Sequence, residues 1–199
     1  MTPELDLKAL EKRVYTSFHQ DGIIDIFAGL LLFVDGLLML SGNAAFVGVA
    51  VVIVFLILPV KRMITVPRIG MVKFSPARNS ELTKFGLMLL IGGALVFMIF
   101  ALRGSSSVLT QWMREYFDLA FGAMFALLAG AAAILTGLKR YIGYVVEILI
   151  IFTLGHLFNW PFPVALSITG GLVSLSGVVT FIRFLQKYPK SDIPEEIRP

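Results

Sequence analysis

Six apolar runs, at roughly 22–41, 44–60, 85–102, 117–137, 141–158 and 163–184, constrain this chain more than any other feature. A helix rises about 1.5 Å per residue, so runs of about 17 to 22 residues match a hydrocarbon core about 30 Å thick. Inside that core each backbone N–H and C=O must be paired within its own segment, which leaves the helix as the natural solution. The runs therefore predict an all-α integral membrane protein, a six-transmembrane-helix bundle over residues 22–186. Composition agrees where it matters: 15% of the residues are charged, against about a quarter in a soluble domain.

Lysine and arginine set the expected orientation. With the N-terminus inside, the inner segments hold 15 of the 17 Lys and Arg residues, leaving Arg103 and Arg114 outside. Such a bias predicts that both termini are cytoplasmic and that the protein is integral to the cell membrane. Trp112 and Trp160 then fall at the outer boundary, and Tyr15, Tyr141, Tyr144 and Tyr188 at the inner one, as interfacial anchors. Net charge is +4, but the basic residues lie in connections between apolar runs and form no aromatic-interleaved face. Nucleic acid is not an expected partner.

Residues 1–21 carry Leu7, Leu10, Val14 and Phe18 at helical spacing among mixed charges. They predict a short cytoplasmic amphipathic helix. With Glu4, Asp6, Glu11 and Asp21 and no apolar centre, the segment is not a signal peptide. The connection 61–84 is the one long loop inside the bundle. Its apolar, β-branched stretch Thr65-Val66-Pro67-Arg68-Ile69 continues to Phe74 and is expected to be ordered, as a hairpin or interfacial strand. Its six basic residues, Lys61, Arg62, Arg68, Lys73, Arg78 and Lys84, make it a candidate site for anionic lipid. Residues 187–199 are polar and proline-broken and read as a disordered cytoplasmic tail.

Carboxylates inside apolar runs carry the functional argument, because an acid at mid-membrane costs about 2.5–3.5 kcal/mol to insert. Asp21 and Asp25 stand at the start of the first run, where a helix N-terminus favours acids. Asp118 has the same position in the fourth run, with Arg114 four residues before it. Asp35 and Glu147 have no such support. Asp35 lies about 20 Å and Glu147 about 9 Å from the inner boundary at helical rise. Each must be protonated, face a wet cavity or bind a cation. Asp25, Gly29, Leu32 and Gly36 share a helix face, and Asp35 lies about 80° round from it. Asp35, Glu147 and Asp25 are thus the candidate solute- or cation-binding residues. His19 and Asp21 are candidates for an inner mouth, and Asp118 and His156 for an outer one. Glu147 and His156 are nine residues apart, so they face opposite ways and form no single site.

Asp25-Ile26-Phe27-Ala28-Gly29 and Asp118-Leu119-Ala120-Phe121-Gly122 both place an acid four residues before a glycine, and Gly92-Gly93 answers Gly170-Gly171. Pairing the first run with the fourth and the third with the sixth suggests a 3+3 inverted repeat, an architecture of many transporters. Gly122, Ala126 and Gly130, and Ser167 with Gly171 or Gly170 with Ser174, allow close helix contacts, within the bundle or with a second copy.

Enzymatic motifs fail. The Asp21-Gly22 acidic stretch departs from the CDP-alcohol phosphotransferase motif, since position 18 is Phe and no Ala-Arg follows. There is no nucleophile elbow, phosphate-binding loop or cysteine. Two histidines at opposite membrane faces make no metal site. Neither a cofactor nor an enzymatic activity is expected. The sequence supports a membrane protein that binds or translocates a small solute or cation through intramembrane carboxylates. The alternative is a non-catalytic scaffold or subunit of a larger membrane complex.

Overall fold

The computed structural model describes residues 19–42, 46–69 and 115–189. Among them the chain is entirely helical: α1 (Ile23–Leu40), α2 (Phe46–Ile64), α3 (Val66–Ile69), α4 (Phe117–Thr136), α5 (Arg140–Leu157) and α6 (Phe162–Lys187). Four of these, α1, α4, α5 and α6, are long and apolar enough to cross a membrane. Their ends match four of the expected spans to within a few residues, and the outward side chains are apolar, with Ile134 85% and Phe55 75% exposed. These helices fit a membrane protein. The third span, the N-terminal amphipathic helix up to residue 18 and the tail from residue 190 lie outside the described residues.

The most extensive packing is between α1 and α6. The two run antiparallel with glycine at each crossing point. A methyl group at Gly29 meets the Ser174 backbone and, at 2.6 Å, the Gly170 carbonyl oxygen; one at Gly170 meets the Gly29 carbonyl oxygen at the same distance. Gly36 lies on Pro163 and Ser167, and Gly177 on Asp25 and Ile26. The helices touch backbone to backbone, which only small residues permit. Just before α1 Gly22 takes φ 73°, a left-handed turn, and a methyl group built on it would lie 2.5 Å from the Gly177 carbonyl oxygen. Glycine meets both demands there, the positive φ and the missing side chain.

Helices α4 and α5 form a second antiparallel pair. Gly137 closes α4 at φ 69°, its N–H donating to the Ala133 carbonyl at 2.9 Å, a helix stop made by a left-handed residue. Gly122 accommodates the Phe152 side chain and Gly130 faces Val145. A smaller contact between α5 and α6 joins the two pairs, and α2 packs on α1. The core between the pairs holds Ile148, Phe152, Ala165, Leu166 and Val173. Phe117, Phe121, Phe125 and Phe162 continue it toward the α5–α6 turn, with ring centroids 4.7 to 5.1 Å apart in successive edge-on contacts.

Two expectations need correction. The second span does not stop near residue 60: α2 carries Pro59 inside it and continues to Ile64. A proline removes one donor and crowds one carbonyl, a disturbance that helices within membranes tolerate. The stretch after it is not a strand or hairpin where it is described, because Val66–Ile69 forms a single helical turn. Thr65 N–H donates to the Lys61 carbonyl at 2.9 Å and Arg68 N–H to that of Thr65 at 3.1 Å. Residues 70–74 lie outside the described residues.

Candidate functional site

Charged side chains gather at the end of the bundle where α1, α2 and α5 meet. Asp21, 0% exposed, precedes α1 and accepts from the Ile23 N–H at 3.1 Å, so it caps the helix across the left-handed Gly22. Its second oxygen accepts from the Thr65 hydroxyl at 2.7 Å and pairs with Lys61 Nζ at 3.1 Å. Both oxygens are therefore served. Lys61, with a side chain only 3% exposed, is spent on this contact, which removes it from the candidate lipid-binding residues. Of the others, Arg62 is exposed and Arg68 donates to the Ile64 carbonyl at 2.7 Å. Lys73, Arg78 and Lys84 lie outside the described residues.

Asp25, one turn further along α1 and 1% exposed, is in a different state. Arg140 Nε stands 2.8 Å from its Oδ2, but the N–H is not aligned on the oxygen. Neither Asp25 oxygen has a well-formed hydrogen bond among the described residues. Arg140 donates through Nη2 to the His19 carbonyl and also lies over the Tyr141 ring, 5.2 Å from its centroid. The hydroxyls of Tyr141 and Tyr144 are close enough to act on the Asp25 charge. That of Tyr144 donates to Ser176 Oγ of α6 at 3.0 Å. Asp25, Arg140, Tyr141, Tyr144 and Ser176 therefore form a polar cluster where α1, α5 and α6 converge. Burying both charges together is what makes either tolerable, since an unpaired buried ion costs several kcal/mol.

The remaining candidates are distributed along the bundle. Gly36 packs on Ser167, so Asp35 lies at the height of residues 167–169 of α6. The Tyr144–Ser176 bond and the Gly155–Ala165 contact place Glu147 near the height of Val173. Asp35 Oδ1, Glu147 Oε1 and Thr169 Oγ1 are each buried without a hydrogen-bond partner among the described residues. No ion pair or hydrogen bond joins Asp35 to Glu147 there. The two are separate steps on one side of α6 rather than a pair. From Asp35 through Thr169 and Glu147 to Asp25, unsatisfied oxygens recur at successive heights, spanning about 15 Å at helical rise.

His156 lies against Tyr116, ring centroids 5.6 Å apart, an aromatic contact at the opposite end of α5 from Arg140. Asp118, half-buried in the first turn of α4, is engaged by a neighbour; Arg114, its expected partner, lies outside the described residues. His19 contributes its backbone carbonyl to Arg140. Among the described residues no group of three metal-ligating side chains converges.

The sequence reading missed Lys61, Thr65, Arg140, Tyr141 and Tyr144 as site residues. The basic and tyrosine residues looked sufficiently explained by orientation and interfacial anchoring. Their carboxylate partners are 40 and 115 positions away (61 minus 21 and 140 minus 25), beyond any local spacing rule. One signal was present: Gly22, Gly29 and Gly36 recur every seven residues, as do Gly170 and Gly177, and Ser167 and Ser174. That pattern marks α1 and α6 as close partners and so places Asp25 against α6. No family model, curated protein or solved structure matches the chain.

Proposed function

We propose that this protein binds or translocates a small solute or cation across the cell membrane. The observation that supports it is the series of buried oxygens without a well-aligned hydrogen bond among the described residues, from Asp35 to Asp25. A buried carboxylate is retained in a bundle against a cost of several kcal/mol. Asp21 meets that cost with three partners and reads as structural. Asp25 meets it in part through Arg140, while half-buried Asp35 and Glu147 each keep one buried oxygen without a hydrogen bond among the described residues. In a transporter or channel a passing cation or polar solute supplies the missing interactions. We further propose six spans with both termini in the cytoplasm, on the strength of the 15 inner Lys and Arg residues. In that orientation the Asp21–Asp25 cluster is the inner end of the route and His156 and Asp118 belong to the outer end.

Flux into liposomes carrying the purified chain tests the reading, with alkali cations and small polar solutes as probes. The Asp35→Asn/Glu147→Gln chain is expected to lose flux at least about tenfold, the equivalent of one 1.4 kcal/mol interaction. Unchanged flux in that variant rules the reading out. A stable co-purifying membrane partner together with no flux in the wild-type chain supports the scaffold instead.

A further inference from the structure

Asp25 and Asp21 sit four residues apart in the same buried end of the bundle, yet their surroundings differ in one respect. Asp21 has the Ile23 N–H, the Thr65 hydroxyl and the Lys61 ammonium. Asp25 has one cation beside one oxygen, whose N–H does not point at it, and the Tyr141 and Tyr144 hydroxyls within reach but in no well-aligned bond. Arg140 directs an aligned bond instead to the His19 carbonyl. The guanidinium therefore neutralises Asp25 without filling its coordination.

We infer that the Asp25 carboxylate is a binding site for a monovalent cation, an alkali ion or a proton, for which Arg140 is a tethered competitor. This rests on the transport reading and names the ligand class of its inner end. The charge count selects the valence. Two acids, Asp21 and Asp25, face two bases, Lys61 and Arg140, so the cluster balances at zero. Replacing Arg140 by a monovalent cation keeps it at zero; a divalent ion leaves a buried excess charge, which a low-dielectric site disfavours. The ligand chemistry is also suitable. Two carboxylate oxygens with free capacity, flanked by the Tyr141 and Tyr144 hydroxyls, are hard oxygen donors of the kind alkali ions take. Arg140 is already 18% exposed, and its long stem can carry the guanidinium toward the interface. Its departure also breaks the ion pair that ties the start of α5 to the start of α1.

The groups facing Asp25 are Asp21 and His19 from its own segment, Lys61 from α2, and Arg140, Tyr141 and Tyr144 from α5. From α6 it meets Ser176 and the Gly177 backbone, neither of which titrates. A cation arriving at Asp25 therefore competes first with Arg140, the cation in contact with it; Lys61 is paired with Asp21 and reaches Asp25 only through its charge.

Equilibrium binding of radiolabelled sodium and of rubidium to the full chain in detergent tests this, at fixed ionic strength and at two pH values. Arg140→Gln removes the competitor and is expected to bind the alkali ion at least about tenfold more tightly than the wild-type chain, because the binding-competent fraction rises. Asp25→Asn is expected to abolish binding at one ion per chain. If protons are the ligand, no alkali ion binds. The Arg140→Gln chain then takes up one proton between the two pH values that the Arg140→Gln/Asp25→Asn chain does not. Arg140→Lys, which keeps the charge but cannot span His19 and Asp25 with a planar fork, is expected between wild type and Arg140→Gln. It serves if the neutral variant does not fold. Equal ion and proton binding in all these chains overturns the inference, as does retained binding in Asp25→Asn. Flux that persists in liposomes after such a result leaves the transport reading standing; binding without any wild-type flux removes the transport reading alone.

Discussion

Gly29 shows how much of this molecule rests on absent side chains. Its Cα lies on the α6 backbone, with the Gly170 carbonyl oxygen 2.6 Å from where a methyl group would be. The opposing atoms are backbone, which cannot swing aside, so overpacking there must separate the helices. Gly29→Ala is expected to destabilise the fold by about 1–3 kcal/mol. Gly143, in the first turns of α5, has nothing within 4 Å of a built methyl group. Gly143→Ala is expected to be neutral or to gain about 0.5–1 kcal/mol from helix propensity. Thermal melting of both variants in one detergent checks the contrast. If both changes have the same effect, the backbone contact between α1 and α6 is not as described. At this scale the sequence was informative about Asp25, Asp35 and Glu147, whose polarity stands out in apolar runs. It was uninformative about Lys61 and Arg140, because a basic residue at an inner boundary already satisfies the topology rule and draws no further question.

At the scale of elements, the span boundaries were legible because length and hydropathy are the physical requirement themselves. Phe117–Thr136 and Phe162–Lys187 fall within a few residues of the apolar runs that predicted them. The exception is α2, which runs past the expected end near residue 60 to Ile64 with Pro59 inside the helix. Proline disfavours a helix in water through its missing donor, a penalty that a tertiary neighbourhood can absorb. The pairing of helices was less legible. Small residues recur in α1, α4 and α6 alike, but in α1 and α6 they bring backbones together while Gly122 of α4 makes room for the Phe152 ring. The partial likeness of α1 and α4 thus covers two different packing roles. The α4–α5 register offers a direct check in a chain without native cysteine. A built Gly130 methyl group lies 3.8 Å from Val145 Cγ2, so the two positions face each other across the pair, as a disulfide requires. The Gly130→Cys/Val145→Cys chain is expected to close a disulfide on mild oxidation, whereas Gly130→Cys/Ile142→Cys is not. Failure of the first pair, or equal closure of both, contradicts the register.

At the scale of the whole molecule, the described residues divide into an α1–α6 pair with α2 beside it and an α4–α5 pair. They are joined by a shared core, an aromatic cluster toward the α5–α6 turn and the Arg140–Asp25 ion pair at the other end. Apolar side chains such as Ile134 and Phe55 point outward, and Asp21, Asp25 and Lys61 are buried, an arrangement that fits a bundle in lipid. The proposed route runs along α6 on the inward side, where Asp35, Thr169 and Glu147 leave oxygens unsatisfied. Access of water to these positions tests that account most directly, and single cysteines can report it. Asp35→Cys and Glu147→Cys, with Ile134→Cys as the lipid-facing control and Lys139→Cys as the exposed control at the α4–α5 turn, are treated with a charged, membrane-impermeant thiol reagent. Reagent is supplied to sealed vesicles from either side. The account predicts that Lys139→Cys reacts only from the cytoplasmic side, and that Asp35→Cys and Glu147→Cys react much faster than Ile134→Cys. Reaction of both no faster than Ile134→Cys would show that the carboxylates line no aqueous route, and the proposed function would fall with that result.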